Sequence, residues 1–547
     1  MIASTFGGPN IMVDIIVVGG GSAGCAMAAR LAETGQLQVV LLEAGKTDDK
    51  LISKVPALMS GMVQNPDFDW RLPTEPDASI GGRADIWPAA RRLGGGSAIN
   101  GMMYVRGHAW DYDQWAAAGA RGWSHAEVLP FFRRMETNER GADAWRGGSG
   151  PQAASESRAR WPITDAWIEA AQQAGIARSR DLNGECAEGV DHAQASQKNG
   201  LRHSTASAYL RGPRRPQGLT IELEARATRL IVENGRAVGV EYRQGDALKT
   251  LRAARGVAVC AGSLNTPRLL LLSGIGPGAE LAALGIPVIA DLAGVGRNLQ
   301  EHVGTHIIHE VNTATMNTAV RGLGGLAQLL KFVLQRRGAL TTAIGHAQAM
   351  VKSRPDLPVP NLQIAFAPLA FDIDARSRLV LRKQASISQA IFLVRPKSRG
   401  SLTLRSANPD DAPLIRHQLY ADDDDLRQVA EGIEIARHIV RQPALAPFVT
   451  GEARPGRDAS GEALLGYCRM AAIPGFHPVG TCRMGTGEDA VVDPDLAVRG
   501  IAGLWVADGS VFPRITAGNT NATCIMIGDK GAAHVLKGLG LRSAVSA

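Results

Sequence analysis

Short, unbroken apolar runs punctuated by glycine dominate the chain, and each run has the length of one buried strand. Ile15, Ile16, Val17 and Val18 lead into a glycine cluster, and Val39 to Leu42 form a second run one helix-length later. Four or five consecutive apolar positions bounded by turn residues fit a strand covered on both faces, as in a parallel sheet. Val257 to Ala261 and Leu504 to Ala507 belong to the same class. Leu219 to Leu223, Leu230 to Val232 and Val238 to Tyr242 have strand composition and predict a small antiparallel unit. Leu269 to Leu272 predict a helix, with Thr266 as its N-cap, Pro267 at the first helical position and Ser273-Gly274 at its end. Longer helical patterns lead from Asp422 to Val440 and from Thr523 to Leu536, while Ser401 to Leu404 alternates like a strand. The aspartates Asp422 to Asp425 stand where a helix dipole favours negative charge, which makes them a solvated cap rather than a metal site. Residues 1–11 precede the first strand and read as a disordered extension, with Met12 an alternative start.

Composition narrows the class. A chain of 547 residues, 45% hydrophobic and 20% charged, can bury a large core in two or more domains. Its 63 glycines exceed the usual share of ~7%, which suits an α/β protein with many tight strand-to-helix turns. The net charge of +7 is spread out, with local density at Arg211 to Arg215 and at Arg336-Arg337. Without a basic stripe or interleaved aromatics this excludes a nucleic-acid partner, and leaves anionic substrates or peripheral contact with membrane headgroups open. No apolar stretch approaches the ~18 residues of a membrane span, and the N-terminus lacks a basic segment followed by an apolar one, so neither secretion nor spanning is expected. The six cysteines show no Cys-x-x-Cys spacing and read as reduced core thiols of a cytoplasmic protein.

Gly19-Gly20-Gly21-Ser22-Ala23-Gly24 follows the first strand and opens a helix, and Glu43 ends the second strand. Gly19 permits the sharp turn, Gly21 lets backbone approach a pyrophosphate, and Gly24 lets the helix sit close on the sheet. The N–H groups of the first helical turn face the phosphates, and Glu43 can accept from a ribose hydroxyl while repelling a 2′-phosphate. The ligand is therefore FAD or NAD rather than NADP. A second glycine run, Arg91 to Gly101, and the strand–turn–helix from Val257 to Leu272 offer further bare backbone to the same ligand.

The run Arg92 to Gly107 resembles the first signature of the glucose-methanol-choline (GMC) oxidoreductases, and Gly262 to Gly276 resembles the second. Val295 to His302, His477 to Gly485 and Gly518 to Asn521 extend the resemblance in family order, and bacterial alcohol, choline and L-sorbose dehydrogenases are the members it looks most like. The resemblance implies an α/β fold with a Rossmann-like FAD-binding domain, drawn from residues 12–155, 200–305 and 477–547. A substrate-binding domain with a mainly antiparallel sheet and flanking helices is implied for 156–199 and 306–476. It implies FAD as cofactor, with Gly19, Gly21, Ser22, Ala23 and Gly24 on the pyrophosphate and Glu43 on the adenosine ribose. Gly94, Gly95, Asn100, Gly101 and Met102 would lie beside the flavin, Ala227 near adenine, Asp508 and Gly509 by the ribityl and phosphate region, and Thr520 on the pyrimidine side. His477 matches the catalytic histidine and Asn519 its His-or-Asn partner. Ile99 occupies the position through which some members bind FAD covalently via histidine, so a non-covalent cofactor is expected. Phe476 stands where close relatives often have tyrosine.

The implied reaction is oxidation of a primary or secondary alcohol, passing electrons to oxygen, a quinone or another acceptor. It needs a base over the hydroxyl and a hydride acceptor, flavin N5, over the carbon. A histidine with an ordinary pKa near 6.5 is substantially neutral at pH 7, and the Asn519 amide can donate to the developing alkoxide. Pro478 restricts His477 to extended backbone, with Gly475 and Gly480 allowing turns on either side. Leu340 to Gln348 and Ala365 to Ile373 are expected to line the substrate pocket, leaving the identity of the alcohol open. His302, His306 and His309 lack a metal-ligand pattern and read as structural or solvated. The alternative is a flavin-containing lyase of the hydroxynitrile type, which the same family includes.

Overall fold

The computed structural model describes residues 12–212, 215–373 and 379–542. The extension 1–11 and Arg214 of the basic cluster lie outside the described residues.

The first apolar run becomes the central strand Met12–Val18, whose Ile15, Ile16 and Val17 are wholly buried. It pairs in parallel with Val39–Leu42 on one side and with the end of the 13-residue strand Ala247–Val259 on the other. Leu504–Val506 adds to Ala247–Val259, also in parallel. Ala225–Glu233 and Arg236–Gln244 form the expected antiparallel pair and fold onto the first half of that long strand. Leu219–Glu222 departs from expectation. It joins Val39–Leu42 in parallel register and buries Leu219 and Ile221 at that edge. The polar first half of Ala247–Val259 hid its strand character: Lys249 and Thr250 are exposed, and Arg252 is half-buried and paired with Glu233 at 2.7 Å.

Two helices fix the end of this sheet. Ser22–Ala32 leaves the first turn and packs lengthwise on Asn521–Gly538. The two come so close that a Cβ on Gly528 would lie 2.2 Å from the carbonyl oxygen of Ala23, and Arg30 reaches buried Asp529 at 2.7 Å. That contact seats Asn519, Thr520 and Asn521 above the glycine turn, where the Asn521 amide donates to Ser22 Oγ at 2.7 Å. The helix Asn265–Leu272 starts two residues earlier than expected, so Thr266 is inside it rather than capping it. Its hydroxyl donates to Asp508 Oδ2 at 2.6 Å.

A second seven-stranded sheet is antiparallel at every pairing. Its order is Val449–Arg454, Val303–Val311, Ser386–Leu393, Leu362–Ala367, Ala347–Val351 and Gly189–His192, with Ile473–Pro474 beside Val303–Val311. Pro162–Gln173 and Asp423–Val440 cover it, and Trp167 stacks on Phe366 with ring centroids 5.0 Å apart. Asp422 caps the latter helix by accepting from Asp424 N–H, but Asp425 is buried and accepts the N–H groups of Lys397 and Ser398, anchoring a loop rather than facing solvent. Ser401–Thr403 pairs with Leu414–Arg416 outside both large sheets. One hydrophobic core runs continuously through both sheets. The six cysteines are free. Burial pushes the Cys25 thiol up to about 12, whereas Cys186 is exposed and is not the core thiol expected.

Candidate active site

A single cavity of about 1900 Å³ extends from the glycine turn to the second sheet. At one end Gly19, Gly21, Ser22, Ala23 and Glu43 line it, followed by Gly95, Asn100, Gly101, Met102, Ala227, Asp508, Gly509 and Thr520. Gly19 has φ +102°, and a Cβ there would strike the carbonyl oxygen of Cys260 at 2.5 Å. A Cβ on Gly21 would meet no protein atom closer than 3.8 Å, so the space beside it is open to a ligand. The helix Ser22–Ala32 begins there without a side-chain cap, leaving the N–H groups of its first turn free for an anion.

Gly24 and Gly94 do not line the cavity. A Cβ on Gly24 would sit 1.9 Å from the Gly19 carbonyl oxygen, so its function is to let helix and turn touch. Gly94 donates its N–H to the Gly20 carbonyl at 2.7 Å and accepts from Ser97 Oγ, which bolts the second glycine run onto the first. Glu43 is buried and accepts from the N–H groups of Gly20 (2.8 Å) and Gly45 (2.6 Å). Burial raises its pKa against those two bonds, and each carboxylate oxygen keeps a second lone pair for a hydroxyl donor. Asp508 is anchored by the protein: Gly262 N–H and Thr266 Oγ1 donate to Oδ2 and Ser510 N–H to Oδ1, which keeps a second lone pair for a ligand donor. Asn100 Oδ1 accepts from Met102 N–H and from buried Arg202, which holds the 100–102 turn.

At the other end stand His477 and Asn519. The Asn519 carboxamide Nδ2 lies 2.9 Å from His477 Nε2, and its Oδ1 accepts from Gln363 Nε2 at 3.4 Å, which itself donates to Gln348 at 2.7 Å. With Oδ1 turned to Gln363, Nδ2 donates to His477, so Nε2 carries the lone pair and the ring proton sits on Nδ1. Nδ1 lies 3.0 Å from Nδ1 of His302, whose ring stands nearly perpendicular at 79°. The His477 backbone N–H donates to both oxygens of Glu301, at 2.7 and 2.9 Å. Burial lowers the His477 pKa to about 4, so the imidazole is neutral throughout the neutral range.

His302, Glu301 and Gln363 are the residues that sequence reasoning missed. Of the two roles expected for His302, burial removes the solvated one: the ring is wholly buried and in contact with His477. The one signal available was its place in the 295–302 motif. Gly475 also works differently from expectation. It has no positive φ; a Cβ on it would lie 2.7 Å from His477 Nδ1, so it makes room for the ring rather than a turn. Leu340, Ile344, Ala365, Leu369 and Phe371 of the expected pocket segments line the cavity.

Two GMC oxidoreductase family models match the chain, one over residues 13–304 and one over 396–528. The oxygen-dependent choline dehydrogenase of Brucella suis biovar 1 is 39% identical over 528 residues, covering 96% of this chain and 95% of that one. The solved structure of pyridoxine 4-oxidase from Mesorbium loti superposes with a TM-score of 0.85 at 28% identity, covering 95% and 98%. An FAD-dependent oxidoreductase from Chaetomium thermophilum does so with a TM-score of 0.88 at 25% identity, covering 97% and 100%. By full-length sequence match and by fold, the chain belongs to the GMC oxidoreductase family, as an FAD-dependent oxidoreductase acting on CH–OH donors.

Proposed function

We propose that the protein oxidises a neutral alcohol with an apolar chain, using His477 as base and Asn519 as hydrogen-bond donor to the substrate oxygen. The observation that carries this is the 2.9 Å contact between His477 Nε2 and Asn519 Nδ2 in the wall of the cavity that also holds the glycine turn. A hydroxyl seated between these two atoms gives its proton to Nε2 while its oxygen accepts from Nδ2, so negative charge developing on oxygen meets a fixed donor. The imidazolium formed keeps its Nδ1–H bond to His302, and Glu301 holds the backbone beneath it. Gln363 and Gln348 keep the carboxamide from rotating. FAD, when bound, supplies the acceptor for the hydride; Gly21, Ser22 and Ala23 would hold its pyrophosphate, Glu43 its ribose, and Gly95, Asn100, Gly101, Met102, Asp508, Gly509 and Thr520 the flavin half. Ile99 offers only hydrocarbon and would leave the cofactor non-covalent.

The apolar chain follows from the lining. Met316, Val320, Leu340, Ile344, Leu369 and Phe371 surround the substrate end. Among the described residues the carboxylates lining the cavity are Glu43, Asp85 and Asp508, the first and last held by backbone N–H groups and Asp85 paired with Arg83. Glu43 and Asp508 belong to the glycine-turn half of the cavity, and Arg83 offsets the charge of Asp85, so none is placed to face a quaternary ammonium at the substrate end. A panel of aliphatic, aromatic and sugar alcohols with choline, assayed with a dye acceptor and with air side by side, tests this reading. Higher kcat/KM for apolar alcohols than for choline is expected; choline as the best substrate overturns the substrate class, and no turnover of any alcohol overturns the reaction.

A further inference from the structure

The helix Gly322–Gln335 is built inside out. Gly324, Gly325, Gln328 and Phe332 face the protein, whereas Leu323, Leu326, Leu330, Val333 and Leu334 are each more than half exposed, Leu323 at 86% and Leu334 at 77%. At 100° per residue these five side chains share one continuous arc, the one a helix in water ordinarily turns to its core. A contiguous apolar patch of this kind marks an interaction surface. Its charge surroundings say which kind. From residue 311 to 355 the chain has no aspartate or glutamate, while Arg321, Lys331, Arg336 and Arg337 lie on the helix and its flanks; Lys352 and Arg354 pair instead with Glu188 and Asp424. The nearby carboxylates Glu139 and Glu156 are already paired, with Arg158 and with Arg140 and Arg160.

We propose that this helix docks the protein on an anionic lipid surface, with the leucine arc in the acyl boundary and Lys331, Arg336 and Arg337 among the headgroups. Leucine-rich amphipathic helices flanked by cations lie in the plane of a bilayer in this way. No helix among the described residues is long and apolar enough to cross a membrane, and 14 residues span only about 21 Å, so the helix lies on the surface rather than through it. A second copy of the chain is the poorer occupant, because a symmetric pairing of this arc brings the same cations together, whereas acidic headgroups neutralise them. Gly325, Gln328 and Leu329 also line the substrate cavity, so docking sets one cavity wall against the bilayer.

The test is co-sedimentation of the FAD-loaded full chain with phosphatidylcholine vesicles, with and without phosphatidylglycerol, together with its mass in solution by light scattering. The wild type is expected to pellet with phosphatidylglycerol vesicles and to bind phosphatidylcholine far more weakly. Lys331→Ala with Arg337→Ala should weaken binding about five-fold for each charge removed. Leu323→Ser, Leu330→Ser and Leu334→Ser combined should abolish it, leaving flavin content and turnover of a soluble alcohol intact. Hydrogen exchange over 322–335 in the wild type alone should slow on vesicle addition, which keeps the test alive should the triple variant misfold. A wild type that ignores phosphatidylglycerol vesicles, variants that bind them as well as wild type, or a lipid-free dimer that the leucine substitutions dissociate would each overturn the proposal.

Discussion

At the scale of single residues, the site is a chain of hydrogen bonds that fixes one tautomer: Gln363, which donates to Gln348, also donates to Asn519, Asn519 to His477 and His477 to His302. Each link has a measurable consequence. Asn519→Ala removes the donor to the substrate oxygen and should lower kcat by about 10² to 10³ with FAD retained, read as turnover per bound flavin. Because burial holds the His477 pKa near 4 against an ordinary 6.5, the ring stays neutral and able to accept a proton as pH falls through 6. The acid limb of kcat/KM, on which the base becomes protonated and inactive, should therefore lie near pH 4; an inflection near 6.5 would show that burial does not control the ring. Gly475→Ala puts a Cβ 2.7 Å from His477 Nδ1, displacing the ring, and should cost roughly ten-fold or more in kcat without loss of flavin. His477 and Asn519 were legible in sequence because each sits in its own short motif. Their supports were not. Gln363 reaches Asn519 across 156 positions and His302 reaches His477 across 175, and those contacts exist only once the second sheet has closed over the first.

At the scale of elements, two helices and two turns bring these residues together. The close contact of Ser22–Ala32 with Asn521–Gly538 places the Asn519–Asn521 segment over the glycine turn. Gly528→Val should force the pair apart, since even a Cβ there lies 2.2 Å from the Ala23 carbonyl oxygen. The expected cost is about 1–3 kcal/mol or more in denaturant unfolding, with weaker FAD retention on gel filtration. The parallel core strands were legible from their unbroken apolar runs. The pairing of Leu219–Glu222 was not, because its composition fits either orientation and only its partner Val39–Leu42 decides. Likewise Thr266 has cap chemistry, yet Asp508, 242 positions away, takes its hydroxyl.

At the scale of the molecule, the cavity wall is assembled from both sheets, so a ligand bound along it bridges segments distant in sequence. Removing FAD should accordingly lower the unfolding temperature, and restoring it at about 100 times its Kd should return roughly 2.7 kcal/mol of stability, measured by thermal shift against FAD concentration. An apoprotein as stable as the holoprotein would mean that FAD does not bind the folded chain in preference to the unfolded one. Turnover requires the alcohol to give its proton to His477 beside a bound flavin, and anaerobic rapid mixing of the holoenzyme with a substrate alcohol follows that step directly. Bleaching of the flavin absorbance by the alcohol is predicted, slowed about 10² to 10⁴-fold in His477→Ala at equal flavin content. Flavin that no alcohol bleaches, or a His477→Ala enzyme that bleaches at the wild-type rate, would contradict it.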